Sequence, residues 1–548
     1  MKLFKTLLIL IPFIFNNSCQ AGVQDNPHIR LNQLGFLPDE MKTAVVISAY
    51  PVQSDFFLVK DNQNNKIVHK EEFKVDYFVW GDFSYCFEID FSTLQTTGQF
   101  YIELDGTRSI SFKINNNIFN SVRDSLSLFF KVQRCGPTNP LLHDPCHLSD
   151  VAKVSGYSDS SGVDVTGGWH DAGDYLKFFT TAAYTTYLLL FSYEFDSEKF
   201  NYDLNNNDVP DILEEARVGL DWLLRCRFKP ALFITQVQDI SDQSVGWRLP
   251  ENDTLRYNRT GYAGIGKNQI GIFSAVMSLA SRIWQDRFYD YEFSEILLNS
   301  AVEVYDLLQK VPDVDSIQSG FYQDNNHWGK SALGAIELYL STKNRSYYID
   351  AVKFADSAKS DFWWSWGNIN TLAHYKIAQF DTRFISYIKN NLDTYKLHSD
   401  KSFFREATEY TWGTTNSFLG AALQSILYID LTDDKTFDST LLFQRDFVLG
   451  RNPWGVSFIH NIGTQFPKKL HSQVGYFNNG YIPGALSSGP IPVTLLEEYE
   501  ISRTDKSFNA FNTSSVKYFD DYNDYLSNEP TIGSNATALF VFGYFSNP

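Results

Sequence analysis

The stretch GGWHDAGDYLKF, Gly167 to Phe178, sets two aspartates three residues apart with only Ala172-Gly173 between them. Small central residues let the carboxyls of Asp171 and Asp174 converge on one water. Carboxylates that share a site raise one another's pKa and make a competent general base. A capped polar turn ahead of the next helix explains the same residues and, on this tetrapeptide alone, explains them better.

The surrounding chain, at 548 residues, exceeds one ordinary domain. Its 64 Asp and Glu outnumber 46 Lys and Arg, which argues against a nucleic-acid partner. Aromatics reach 16%; most belong in cores, and the excess of Trp and Tyr also suits a groove that stacks sugar rings. Residues 27–115 read as short strands (TAVVIS, FFLVK, YCFEIDF, QFYIEL) at the spacing of a small β-sandwich. Residues 116–548 turn to helical periodicity, in about twelve segments. These begin near Ile118, Thr180, Val209, Gly264, Phe293, Lys330, Ser346, Ile369, Thr382, Gly413, Asp433 and Gly533. Several are apolar on more than one face, as in concentric helical layers. A mostly α domain is expected, either six hairpins closed into an (α/α)6 toroid or a bundle. The irregular stretch from Asn452 to Pro530 is long enough to be functional.

The N-terminus, MKLFKTLLILIPFIFNNSCQAG, reads as a secretory signal over residues 1–19, its apolar run Leu7–Phe15 being too short to span a bilayer. Ser18-Cys19 resembles a bacterial lipoprotein cleavage site with Cys19 lipidated, so an exported outer-membrane lipoprotein is expected, plain secretion being the alternative. Of the other cysteines, Cys86 and Cys226 read as buried structural thiols. Cys135, Cys146, His147 and His170 form a Cys2His2 set, for which a disulfide or unrelated thiols fit the bare spacing as well as zinc does. In DLNNNDVPDILEE, residues Asp203, Asn205, Asn207, Val209 (through its carbonyl), Asp211 and Glu214 occupy the ligand positions of a calcium loop. Asp208 stands where that loop normally has glycine, and a polar loop leading into a helix is the alternative.

A second acidic element, YFDDYNDYLSNEPTIGSNA, runs from Tyr518 to Ala536. Glu529, beside apolar residues, would have a raised pKa suited to a general acid; otherwise it is a helix-start residue favoured by the macrodipole. One acidic element as base and a distant one as acid fit inverting glycoside hydrolysis, which needs the carboxyls about 6.5–9.5 Å apart.

Together, GGWHDAGDYLKF and the pattern Tyr518-x-Asp520-x4-Tyr525-x3-Glu529-x-Thr531-x3-Asn535-Ala536 resemble family 9 glycoside hydrolases, the inverting cellulases. IRLNQLGFLPDEMKTAVV is similar to the opening of the immunoglobulin-like domain that precedes many of their catalytic domains. WGTTNSFLGAAL and LGRNPWGVSFIHNIG resemble two further stretches of the family. The resemblance implies the (α/α)6 toroid. It also implies Asp174 as base, Asp171 as its partner on the water, Glu529 as acid and Asp520 as a supporting carboxylate. His471 matches the first histidine of a sugar-binding element, and Trp412 and Tyr525 are implied contacts to substrate. Here the chain departs: Ser472 and Gln473 replace the second residue and the arginine of that element, and His460 and Gln465 are unusual upstream. Arg to Gln removes a charge and a bidentate fork, which bears on the sugar accepted nearest the cut. The resemblance further favours structural zinc on the Cys2His2 set and supports calcium.

The expectation is an inverting endo-acting hydrolase of β-1,4-glucosidic bonds in cellulose oligomers, mixed-linkage glucan or xyloglucan. It should be monomeric, without organic cofactor, and meet the membrane only through its lipid. Alternatives are an exo-acting β-glucosidase or glucosaminidase of the same family, or a non-catalytic glycan-binding lipoprotein.

Overall fold

The computed structural model describes residues 26–151, 153–158, 163–315 and 321–547. The expected signal peptide and Cys19 lie outside them. Twelve long helices stand among these residues: α1 Asn120–Gln133, α2 Phe179–Phe195, α3 Asp211–Arg225, α4 Lys267–Phe288, α5 Tyr291–Tyr305, α6 Trp328–Thr342, α7 Arg345–Ala358, α8 Asn370–Ala378, α9 Ile385–Lys401, α10 Thr414–Thr432, α11 Asp438–Val448 and α12 Ile532–Phe545. The even-numbered helices pack each on the next, and α12 closes back on α2. Each odd-numbered helix covers one of them from outside: α3 on α2, α5 on α4, α7 on α6, α9 on α8, α11 on α10 and α1 on α12. This is the expected (α/α)6 toroid. Burial follows the sequence: α2 is buried on every side from Phe179 to Ser192, whereas α7 buries only Ala351, Phe354 and Ala355. Gly271 and Gly334 let α4 and α6 touch backbone to backbone, since a Cβ on Gly334 would lie 2.4 Å from Gly271 O.

Inner helices all run the same way, so their N-terminal ends share one face. The opposite face is stapled by Glu194, Arg282, Glu337 and Lys376 from α2, α4, α6 and α8: Arg282 Nη2 meets Glu194 at 2.9 Å, and Lys376 Nζ meets Glu337 at 3.3 Å. Charges of alternating sign leave none uncompensated in a buried setting.

Ahead of the toroid, two sheets face each other. One has the order His28–Arg30, Thr43–Ile47, Phe83–Asp90, Phe78–Trp80; the other Gly35–Phe36, Phe112–Ile114, Gly98–Leu104, Phe56–Asp61, Ile67–Glu72. TAVVI is buried at all five positions because Ala44 and Val46 fill the sandwich core while Val45 and Ile47 pack into the toroid. LNQLGF docks on LGRNPWG and the residues to either side of it: Gln33 N donates to Leu449 O (2.9 Å), Gln33 Nε2 to Gly455 O (2.9 Å) and Asn32 Nδ2 to Asp446 Oδ1 (2.8 Å), while Gln33 Oε1 accepts from the backbone of Thr464 and Gln465. Arg445 makes a bidentate pair with Glu40 at 2.7 and 2.8 Å.

Helical periodicity after residue 116 hides two further sheets among the described residues, a two-stranded one of Ile491–Pro492 with Val516–Lys517 and a larger one around Leu232–Val237. Leu232–Val237 pairs with Thr260–Gly264 and with Lys177–Phe178, the end of the DAGDYLKF segment. Its registers Lys177↔Val237 and Phe178↔Gln236 fix where α2 begins.

Candidate active site

The expected catalytic and sugar-contacting side chains lie on connections that enter inner helices. Asp171 and Asp174 precede α2, Trp412 precedes α10, and His471, Asp520, Tyr525 and Glu529 precede α12. Ile532 N, at the start of α12, donates to Asp171 O at 2.9 Å, joining the two acidic elements through the main chain. Gly173 N donates to Glu529 Oε1 at 3.1 Å. A Cβ at Gly173 would fall 2.0 Å from His471 O, so only glycine lets the elements close on each other.

Asp171 is buried, with Oδ1 accepting from Thr181 Oγ1 and Oδ2 from Tyr322 OH at 2.6 Å. Burial raises it to about 6 against those two hydrogen bonds. Asp174 is raised to about 7, first by burial and then by the charge of Asp242. Glu529 is pushed well above the usual glutamate value, first by burial and then by Asp174. Burial and the neighbouring aspartate thus favour the protonated form of Glu529 beside an ionisable pair, the direction that general acid–base chemistry needs.

His471 Nδ1 donates to Tyr522 O at 2.6 Å, a bond that fixes the tautomer and leaves Nε2 as an acceptor. Burial lowers its pKa, so the ring stays neutral. Asp520 accepts from Lys468 N, Lys469 N (2.8 Å) and Asn528 Nδ2, and so binds the turn before His471 to the segment that ends in Glu529. Tyr525 stands between Trp412 and His471, each ring centroid 5.8 Å away, and Trp412 is 43% exposed. Gln473 is buried and its Oε1 accepts from Arg248 N at 3.0 Å.

Several site residues had no sequence signal. Tyr322, Thr181, Trp247, Arg248 and Trp366 lie outside the matched stretches; Trp366 faces Tyr322 edge-on at 5.2 Å, and Trp247 meets His471 at 5.2 Å. Tyr322 and Trp366 share one clue, a position just before the inner helices α6 and α8.

Beside the carboxylates, Cys135, Cys146, His147 and His170 bring one donor atom each within 4.8 Å of the others, all buried. The thiols are free rather than bridged. A tetrahedral zinc with ordinary bond lengths sets S···N near ~3.5 Å and N···N near ~3.3 Å. Here Cys135 Sγ lies 3.5 Å from His147 Nδ1, Cys146 Sγ 3.7 Å from His170 Nε2, and the two histidine nitrogens 3.2 Å apart. The four residues therefore fit a closed metal site. His147 Nε2 reaches Asp253 Oδ2 at 3.0 Å, and Arg248 Nε donates to Asp253 Oδ1 at 2.8 Å, carrying the cluster's restraint to the Gln473 corner.

The other candidate metal loop lies on the outer surface. Asp203 accepts the N–H groups of Asn207 (3.2 Å) and Asp208 (2.8 Å), and Asp208 takes φ +66°, the conformation for which glycine is usual there. Glu214 accepts from Asn205 Nδ2 (2.9 Å) and from Asn207. Asp211 accepts instead from Leu204 N (2.9 Å) and pairs with Lys131 at 3.2 Å.

A toroid carrying paired aspartates and, bonded to the backbone between them, a glutamate at its helix N-terminal face is a glycoside hydrolase architecture. Residues 119–542 match the model of glycosyl hydrolase family 9, and residues 24–109 that of the cellulase N-terminal ig-like domain. The chain belongs to glycosyl hydrolase family 9. It is 26% identical to the xyloglucan-specific endo-beta-1,4-glucanase BoGH9A of Bacteroides ovatus, over 95% of this chain and 94% of that protein. With the cellodextrinase of Butyrivibrio fibrisolvens it shares 25% identity over 94% of this chain and 98% of that one. Among solved structures, a metagenome-derived family 9 endoglucanase superposes with a TM-score of 0.80 at 23% identity, covering 95% of this chain and 99% of that. A zinc-binding triple mutant of the family 9 endoglucanase J30 gives 0.80 at 24% identity, covering 93% and 99%. Among the described residues no helix is long and apolar enough to cross a membrane.

Proposed function

We propose that the chain hydrolyses β-1,4-glucosidic bonds within glucans, with inversion at the anomeric carbon. The observation that carries this reading is Glu529, its Oε1 bonded to the backbone N–H between Asp171 and Asp174, with all three pKa values raised as acid and base roles require. Asp174 takes a proton from a water that Asp171 helps hold. The water oxygen bonds to the anomeric carbon as its bond to the leaving oxygen breaks, and Glu529 gives its proton to that oxygen. His471 and Tyr525 orient the sugar at the bond, Trp412 supplies a stacking face, and Asp520 keeps the His471 turn in place. The relatives named as a xyloglucan-specific endo-beta-1,4-glucanase and a cellodextrinase support β-glucans as substrates, xyloglucan, mixed-linkage glucan and cellulose oligomers among them. An exo-acting glycosidase shares every carboxylate and differs only in how the cleft ends.

Zinc on Cys135, Cys146, His147 and His170 completes the proposal; bound there it supplies a cross-link rather than reaction chemistry and ties the residue before Asp171. Calcium would be held by Asp203, Asn205, Asn207, Glu214 and the Val209 carbonyl. Asp211, drawn to Lys131, acts mainly to fix the loop's shape. Export as a lipid-anchored monomer, through Cys19, belongs to the same reading.

The test is reducing-sugar release from soluble β-glucans by wild type and Glu529→Ala. Strong release by the wild type that the variant loses supports the hydrolase. Equal and negligible release from both on all β-glucans would instead mark a glycan-binding protein.

A further inference from the structure

A row of aromatic rings leads from His471 to the surface. Ser472 caps the short helix Gln473–Phe477 by accepting from Gly475 N at 3.2 Å. Gln473 N donates to Gly173 O at 3.0 Å, so this helix is bonded directly to the segment that bears Asp171 and Asp174. Its last two residues, Tyr476 and Phe477, are 47% and 45% exposed. Tyr476 packs edge to face on Trp247 at 5.2 Å and on Tyr522 at 5.0 Å, and Phe477 packs on Tyr476 at 5.3 Å.

We infer that Tyr476 and Phe477, backed by Tyr522, form an outer subsite that stacks sugar rings of a β-1,4-linked glucan beyond those held at the carboxylates. The inference rests on the hydrolase reading above. Neighbouring exposed aromatics on a soluble protein mark a binding surface, and this one is continuous with the proposed cleft through Trp247 and His471. The equatorial linkages of a β-1,4-glucan leave the broad C–H faces of its rings open to stacking, without need of a charge. Gln473 fits that chemistry: where the family's arginine would present a guanidinium, its Oε1 holds Arg248 N and keeps the neighbouring Trp247 against Tyr476. Rings fixed in advance by their neighbours lose little freedom on binding.

The experiment compares kcat/KM on long and short cello-oligosaccharides for wild type, Tyr476→Ala, Tyr476→Phe and, as control, Tyr289→Ala, an exposed tyrosine just past the C-terminal end of α4. Tyr476→Ala should lower the long-to-short ratio about two- to tenfold, the value of one aromatic contact. Tyr476→Phe should restore the ratio and Tyr289→Ala leave it alone. Losses equal on all lengths, or no loss, in an enzyme whose wild type is active would overturn the outer subsite and leave the hydrolase reading standing. A wild type inactive on every length would overturn both.

Discussion

The backbone of Gly173 holds Glu529 and the helix after His471 at once, donating to Glu529 Oε1 at 3.1 Å and accepting from Gln473 N at 3.0 Å. The acid, the base segment and the sugar-facing corner are therefore tied at one glycine, although Glu529 and Gly173 are 356 residues apart in sequence.

Gly173→Ala should separate them. Its Cβ would lie 2.0 Å from a carbonyl oxygen that cannot swing aside, so the backbone must give. A misplacement of that order costs about 100-fold in kcat, measured on any soluble β-glucan the wild type cleaves. Wild-type kcat in this variant would mean that the contact positions nothing.

Tyr322→Phe tests the water-holding partner. Its hydroxyl lowers the pKa of Asp171 against burial. Removing it raises that pKa from about 6, so the acid limb of the kcat/KM profile should move to higher pH. An unmoved limb with unchanged activity would take Asp171 out of the reaction.

Glu529→Gln should stabilise the fold as it abolishes activity. Because burial raises the folded-state pKa of Glu529, the stability linked to its proton is fully present below the ordinary glutamate value and lost as pH climbs through the raised one. Glutamine cannot ionise. The Tm of the variant should therefore match wild type near pH 4 and exceed it by roughly a few degrees near pH 8. A difference that shrinks with rising pH would show the carboxyl to be stabilised as the anion.

Metal removal has a structural readout. Elemental analysis should find close to one zinc per chain on the Cys2His2 set, and Cys146→Ser should lose it and lower Tm by about 5–10 °C. Metal-free protein with unchanged Tm and full activity would refute a metal here.

Much of this was legible because periodicity and chemistry coincide along the chain. Eleven of the twelve helix starts fall within three residues of where the apolar repeat places them; α11 begins at Asp438 rather than near Asp433. Asp433 is the left-handed cap of α10 at φ +55°, a polar stop that reads like a start. Asp171, Asp174 and Glu529 were visible because carboxylates in fixed patterns carry a recognisable chemistry. Tyr322 and Trp247 were not, since one aromatic in a connection looks like core until the fold turns it toward a carboxylate or a histidine. The strand Leu232–Val237 pairs locally only with the short Arg227–Lys229, and its other two partners lie more than 20 residues away, so little of that sheet shows as a repeat along the chain. Gln473 was read as a missing charge, whereas its carbonyl holds the backbone of Arg248.

The most direct test follows the anomeric configuration of the first product by NMR while the wild type cleaves a β-1,4-glucan oligosaccharide. Asp174 as base through water, with Glu529 as acid, requires the α-anomer to form first and then mutarotate. A β-anomer formed first would mean a covalent intermediate on one of these carboxylates and would contradict the roles assigned to them.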